Sequence, residues 1–206
     1  MHRAFILSRP YDLTMARRCA ARLTRQGWLP LILLDPREWL DFPADCQPVP
    51  YWTRGAGMFG TFCAMAISQG ILDNSAAGDI VAKFDCDVAL TNAAAAWLAG
   101  ATATARCFPL GGTACGTLWA APRAQVSGAL EWLAASRPCR CPESSLHIKA
   151  LRRSGGMETH PTLSITKWIP PRPWPPDAGA LTLPTVCRVA PRLTCGLAMM
   201  ETPAPN

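Results

Sequence analysis

Apolar residues fall in short unbroken runs, one over 4–8 and another over 28–34. Neither run alternates with polar residues, which is the pattern of strands covered on both faces of a parallel sheet. Between them Leu13, Ala16, Ala20 and Leu23 recur at helical spacing, with Asp12 placed to cap the helix and Gly27 to end it. The segment 36–50 holds Pro36, Pro43, Pro48 and Pro50, predicting a loop, with a short extended piece over 49–53. A helix is predicted over 57–72, with Phe59, Phe62, Cys63, Ala66 and Ile67 on its apolar face, and then a buried strand over 80–84. Asn92 is placed to cap a helix over 93–98. A strand over 106–110, a Gly-rich turn over 111–113 and an extended segment over 115–120 follow. Helices are predicted over 123–135 and 143–153, the second stopped by Gly155-Gly156, and a last strand over 163–169.

Strands alternating with helices in this order predict a Rossmann-like α/β domain over 1–169, with a mostly parallel central sheet and helices on both faces. Beyond it Pro170, Pro171, Pro173, Pro175, Pro176 and Pro184 remove backbone donors. Residues 170–206 are therefore expected to be a Pro-rich tail, poorly ordered or wrapping the domain. The 206 residues suffice for one well-buried core, and 50% apolar against 17% charged residues is a globular composition.

Ten cysteines would suit a secreted disulfide scaffold, but the apolar stretch after Met1-His2-Arg3 is too short for a secretory leader. No stretch supplies the about 18 apolar residues of a membrane span. The expectation is a cytoplasmic protein with free thiols. The formal charge of +6 comes from scattered cations, with Arg17, Arg18, Arg22 and Arg25 suiting one solvated helix face. That argues against nucleic acid, and fits an anionic small molecule or a peripheral membrane contact.

The candidate chemistry is at Asp85-Cys86-Asp87. Nine aspartates would give about 0.4 Asp-x-Asp pairs by chance, so the motif carries weight only through its setting. It follows the apolar run 80–84, at the carboxyl end of a strand, where open α/β sheets bind ligands. In extended chain residues i and i+2 share a face, so both carboxylates can be presented together to Mg²⁺ or Mn²⁺.

The stretch Val81-Ala82-Lys83-Phe84-Asp85-Cys86-Asp87-Val88-Ala89-Leu90 resembles the Asp-x-Asp strand of GT-A-fold glycosyltransferases. Arg54-Gly55 before a helix, the Gly-rich Gly111-Gly112-Thr113-Ala114-Cys115-Gly116-Thr117-Leu118-Trp119, and Pro142-Glu143 opening a helix resemble further segments of that family. The likeness covers about residues 3–169 and implies a GT-A-like fold and sugar transfer from a nucleoside diphosphate sugar, a UDP-sugar foremost, to an unknown acceptor. It implies Mn²⁺ or Mg²⁺ on Asp87, with Asp85 reaching the metal, the ribose or the sugar, and His160 completing the shell. Glu143 would be the base, although Ser144 stands where the family has a second acid. Ser8, Arg9, Tyr11 and Asp35 would seat the nucleotide, Arg54 its phosphate, and Gly111 and Gly112 the donor or acceptor. Other readings stay open: a non-catalytic nucleotide-sugar-binding module, a nucleotidyltransferase, or an NAD(P)-binding oxidoreductase using the Gly-x-Gly-x-x-Gly match at 55–60. A zinc site at Cys139-Arg140-Cys141 lacks a second, well-spaced pair.

Overall fold

The computed structural model describes residues 1–50, 60–110, 113–167 and 178–182. In chain order come β1 (His2–Leu7), α1 (Leu13–Arg25), β2 (Leu29–Leu34), β3 (Cys46–Pro48), α2 (Gly60–Asp73), β4 (Ile80–Asp85) and β5 (Val88–Leu90). After these follow α3 (Asn92–Ala99), β6 (Ala105–Leu110), β7 (Thr113–Pro122), α4 (Arg123–Ala135), α5 (Glu143–Gly155), β8 (Met157–Thr159), β9 (Ser164–Lys167) and β10 (Ala178–Thr182). Seven strands form one sheet in the order β3-β2-β1-β4-β7-β6-β8. Only β7 runs against its neighbours, antiparallel to both β4 and β6. The remaining pairings are parallel. A second sheet has the order β5-β10-β9.

The unbroken apolar runs of β1 and β4 have the cause expected of them. Ala4 and Ile6 face a core shared with α1 and α3, while Phe5 and Leu7 face one shared with α2, α4 and α5. Strand alternation thus serves two apolar faces at once, and helices cover both. In β4, Ile80, Ala82 and Phe84 point to the first core and Val81 to the second.

Several local expectations are corrected. A short edge strand, β3, stands at Cys46–Pro48 and tolerates Pro48, while most of the extended piece expected over 49–53 lies outside the described residues. On α2 the buried face runs through Cys63, Ala64, Ile67 and Ile71, leaving Phe62 43% exposed. Thr91, not Asn92, caps α3: its Oγ1 accepts the Ala94 amide at 3.2 Å, while Asn92 Oδ1 accepts from Gln26 Nε2. Asp12 precedes α1 but makes no side-chain cap bond. Part of the Pro-rich tail returns as β10, which pairs with β5 and β9. The terminators hold as read: Gly27 and Gly156 both adopt φ of +82°, which only glycine takes readily.

Cys19, Cys46, Cys63, Cys86, Cys107, Cys139 and Cys141 are free thiols. Among the described residues, no helix is long and apolar enough to cross a membrane.

Candidate functional site

The chain runs outward from β1 through β2 to β3, then returns to place β4 on the other side of β1. The order therefore reverses between β1 and β4, and ligands of open α/β sheets bind outside the carboxyl ends of the strands at such a point. Leu7 and Asp85 are register partners at those two ends. Asp85 thus lies at the topological crevice.

Lys83 and Asp85 lie two residues apart on one side of β4. The Lys83 side chain has no exposed surface, and its Nζ donates to Asp85 Oδ1 at 2.5 Å and to the Gly116 carbonyl on β7 at 3.1 Å. A charge so enclosed is tolerated only with such partners. Asp85 keeps 36% of its side chain open, at the rim of this buried contact. Burial pushes its carboxyl above the usual carboxylate range, and the charge of Glu143 pushes the same way; Lys83 and a hydrogen bond from Thr117 oppose this.

The extended geometry expected for Asp85 and Asp87 is not what brings them together. β4 ends at Asp85, and Cys86 and Asp87 form a tight turn into β5. The turn bends the chain back within electrostatic reach: burial first, and then the Asp85 charge, push the Asp87 carboxyl up to about 7. Among the described residues no cation pairs with Asp87. Asp12 joins from the turn after β1; it is 8% exposed, and its charge also acts on Asp87 and on Cys86.

The far wall is the start of α5. Glu143 is its first residue, half-buried, and its charge is felt by both Asp85 and His147. The approach is fixed by Gly116: a Cβ there would overlap the carbonyl oxygen of Ser144, so a glycine is what lets α5 start against β7. Below lies His147, 1% exposed, with Nε2 3.1 Å from the Ala64 carbonyl and 3.3 Å from Ser68 Oγ. Burial, helped by the Lys83 charge, lowers its pKa to about 4, so the ring is neutral.

The other expected residues divide. Ser8 is buried with its hydroxyl on the Arg9 carbonyl (3.1 Å), and Arg9 donates to Tyr11 Oη (2.8 Å) beside the β1 terminus. Asp35, 1% exposed, accepts a forked pair from the Arg37 guanidinium at 2.9 and 2.6 Å and caps a turn through the Arg37 amide. That arrangement makes it an organiser of the β2 exit. His160 packs between Trp97 and Phe108, and its Nδ1 accepts the Thr162 and Leu163 amides at 3.2 and 2.9 Å. It thereby anchors the turn into β9, and among the described residues no group of three or more metal-binding side chains is assembled, His160 with the two aspartates included. Arg54, Gly111 and Gly112 lie outside the described residues. So does most of the 55–60 glycine match, of which Gly60 has a packing reason, since a Cβ there would overlap the Cys141 carbonyl.

Neither a protein-family model nor a curated protein matches this sequence. Two carboxylates at a strand exit supply hard oxygen ligands, and Mg²⁺ or Mn²⁺ commonly takes only one or two carboxylates, the rest being water and substrate phosphate. The donor set fits such an ion. Sequence reasoning gave no site role to Asp12, Lys83, Thr117 or His147. Only Lys83 carried a signal, a lone lysine inside the apolar run 80–84.

Proposed function

We propose that this protein is a cation-dependent glycosyltransferase of GT-A type, moving a sugar from a nucleoside diphosphate sugar, a UDP-sugar foremost, to an acceptor hydroxyl. The observation that carries the reading is Asp85 at the carboxyl end of β4 beside β1, within reach of the Glu143 charge, with Asp87 in the turn that follows. Asp87, which no cation among the described residues pairs, would hold Mn²⁺ or Mg²⁺; Asp85, fixed by Lys83, would face the ribose or the sugar. The ion would supply positive charge to the departing diphosphate. Glu143 would accept the proton of the attacking hydroxyl. Ser8, Arg9 and Tyr11 stand where the nucleotide would enter, beside the end of β1.

Calorimetric titration with UDP tests the reading. Binding is expected to need Mn²⁺ or Mg²⁺ and to weaken at least tenfold in Asp87→Ala; undiminished affinity in that variant removes the cation role. For Glu143→Gln, hydrolysis of a UDP-sugar is expected to fall at least tenfold with UDP affinity changed less than threefold. Hydrolysis within threefold of the parent removes Glu143 as the base.

A further inference from the structure

The loop between α4 and α5 carries Cys139-Arg140-Cys141, which the site above does not use. Its thiols are placed with unusual care. Cys141 is exposed and Cys139 half-buried, so both are open to small reagents. Cys141 stands two residues from Cys139, near enough for the two thiols to act on each other. A hydrogen-bond donor arrives from the start of α2: Thr61 Oγ1 lies 3.7 Å from Cys139 Sγ and also accepts the Cys139 amide at 3.0 Å. The Thr61 amide in turn donates to the Cys139 carbonyl at 3.3 Å, so the loop is held on α2 by its backbone. Gly60 completes the contact, with no room for a side chain against the Cys141 carbonyl.

We infer that Cys139 and Cys141 form a thiol–disulfide exchange site, with Cys139 as the attacking thiol and Cys141 as the resolving thiol, acting on low-molecular-weight disulfides of the glutathione type. Cys141 beside it, the Thr61 hydroxyl and the Lys149 charge all favour a thiolate at Cys139, which sets its pKa below that of an ordinary cysteine. Cys141, beside the Cys139 thiol, shifts the other way. A lowered, accessible thiol beside a second cysteine is the arrangement of reversible redox sites. Cys19 and Cys46 form the contrast, being buried and pushed up to about 12 and about 11 by burial.

The exchange balances without further reagents. Cys139 thiolate attacks one sulfur of the small disulfide, breaking its S–S bond and releasing one thiolate, which takes up a proton. Cys141, deprotonated as it attacks, displaces the second thiol from Cys139 and closes the intramolecular bridge. One external disulfide is reduced to two thiols while two cysteines are oxidised to one disulfide. The inference does not rest on the transferase reading.

The full-length protein is incubated in mixtures of reduced and oxidised glutathione, free thiols are blocked with iodoacetamide, and the chain is cut after glutamate. The fragment 132–143, bounded by Glu131 and Glu143, contains Cys139 and Cys141 and no other cysteine. It is expected to lose two hydrogens in oxidising mixtures and to recover them with dithiothreitol. Cys141→Ser is expected to accumulate one glutathione on Cys139. Cys139→Ser is expected to react at least tenfold more slowly at Cys141 than the parent does at Cys139. A fragment that stays unbridged in a mixture that oxidises dithiothreitol overturns the inference. So does glutathione addition at Cys141 in preference to Cys139. Both variants change exposed or half-exposed thiols, and unaltered circular dichroism of each confirms that the readout concerns chemistry rather than folding.

Discussion

Lys83 is the residue least compatible with its surroundings if taken alone. It is fully buried on β4, in register with Phe5 and Trp119, and Asp85 and the Gly116 carbonyl meet its Nζ. Removing one partner of a buried pair leaves the other uncompensated, at a cost of about 3–5 kcal/mol. Asp85 keeps a third of its side chain in solvent, so the lower end applies. Lys83→Met is expected to lose about 3 kcal/mol in urea denaturation, and adding Asp85→Leu to recover more than half of it. A single-variant loss under about 1 kcal/mol shows that the pair is solvated and that Lys83 does not hold Asp85.

At the scale of elements, the contact that builds the cleft is α5 against β7. Gly116 is where it can be broken: a methyl group there meets the Ser144 carbonyl oxygen, carbonyl carbon and Cα. Backbone cannot rotate aside as a side chain can, so α5 must shift or strain must be absorbed. Gly116→Ala is expected to lower stability by about 1–3 kcal/mol. It should also lower UDP-sugar hydrolysis more than UDP binding, because Glu143 moves with α5 while the Asp85–Asp87 turn stays on β4. Thermal denaturation and turnover on the same preparation check this. Unchanged stability shows that the contact has slack. α2 shows the same dependence on neighbours: Phe62 fits the apolar pattern but is exposed, since Ala64 and Ile71 present the face the sheet accepts.

For the whole molecule, the buried neutral His147 links global stability to pH. Its pKa is lowered from 6.5 in the unfolded chain to about 4 in the fold, so below pH 6.5 the unfolded state binds more protons. Stability from this group is complete above pH 6.5, and falls as pH drops toward 4 by up to about 1.4 kcal/mol per pH unit. His147→Leu removes the titration. The difference in unfolding free energy between parent and variant is expected to shift by about 2 kcal/mol between pH 7 and pH 5, against the parent at the lower pH. Parallel pH profiles mean that the imidazole is hydrated in the native state.

The alternation of strands and helices was legible in the sequence because its causes are local. Unbroken apolar runs make doubly covered strands, helical spacing makes one-sided helices, and Gly27 and Gly156 stop helices through their own dihedral freedom. The Asp85–Asp87 pair was legible too, as acids at the end of such a run. Tertiary structure decided the rest. It turned the chain at Cys86-Asp87 rather than extending it, left Asp12 without a side-chain cap bond but within electrostatic reach of Asp87, and took part of the Pro-rich tail as the strand between β5 and β9. It also joined Lys83 to a carbonyl 33 residues away and laid α5 on Gly116. The physical reason is shared by all of these: each outcome is set by a partner distant in sequence, and a side chain's own pattern specifies that it needs a partner but not which one.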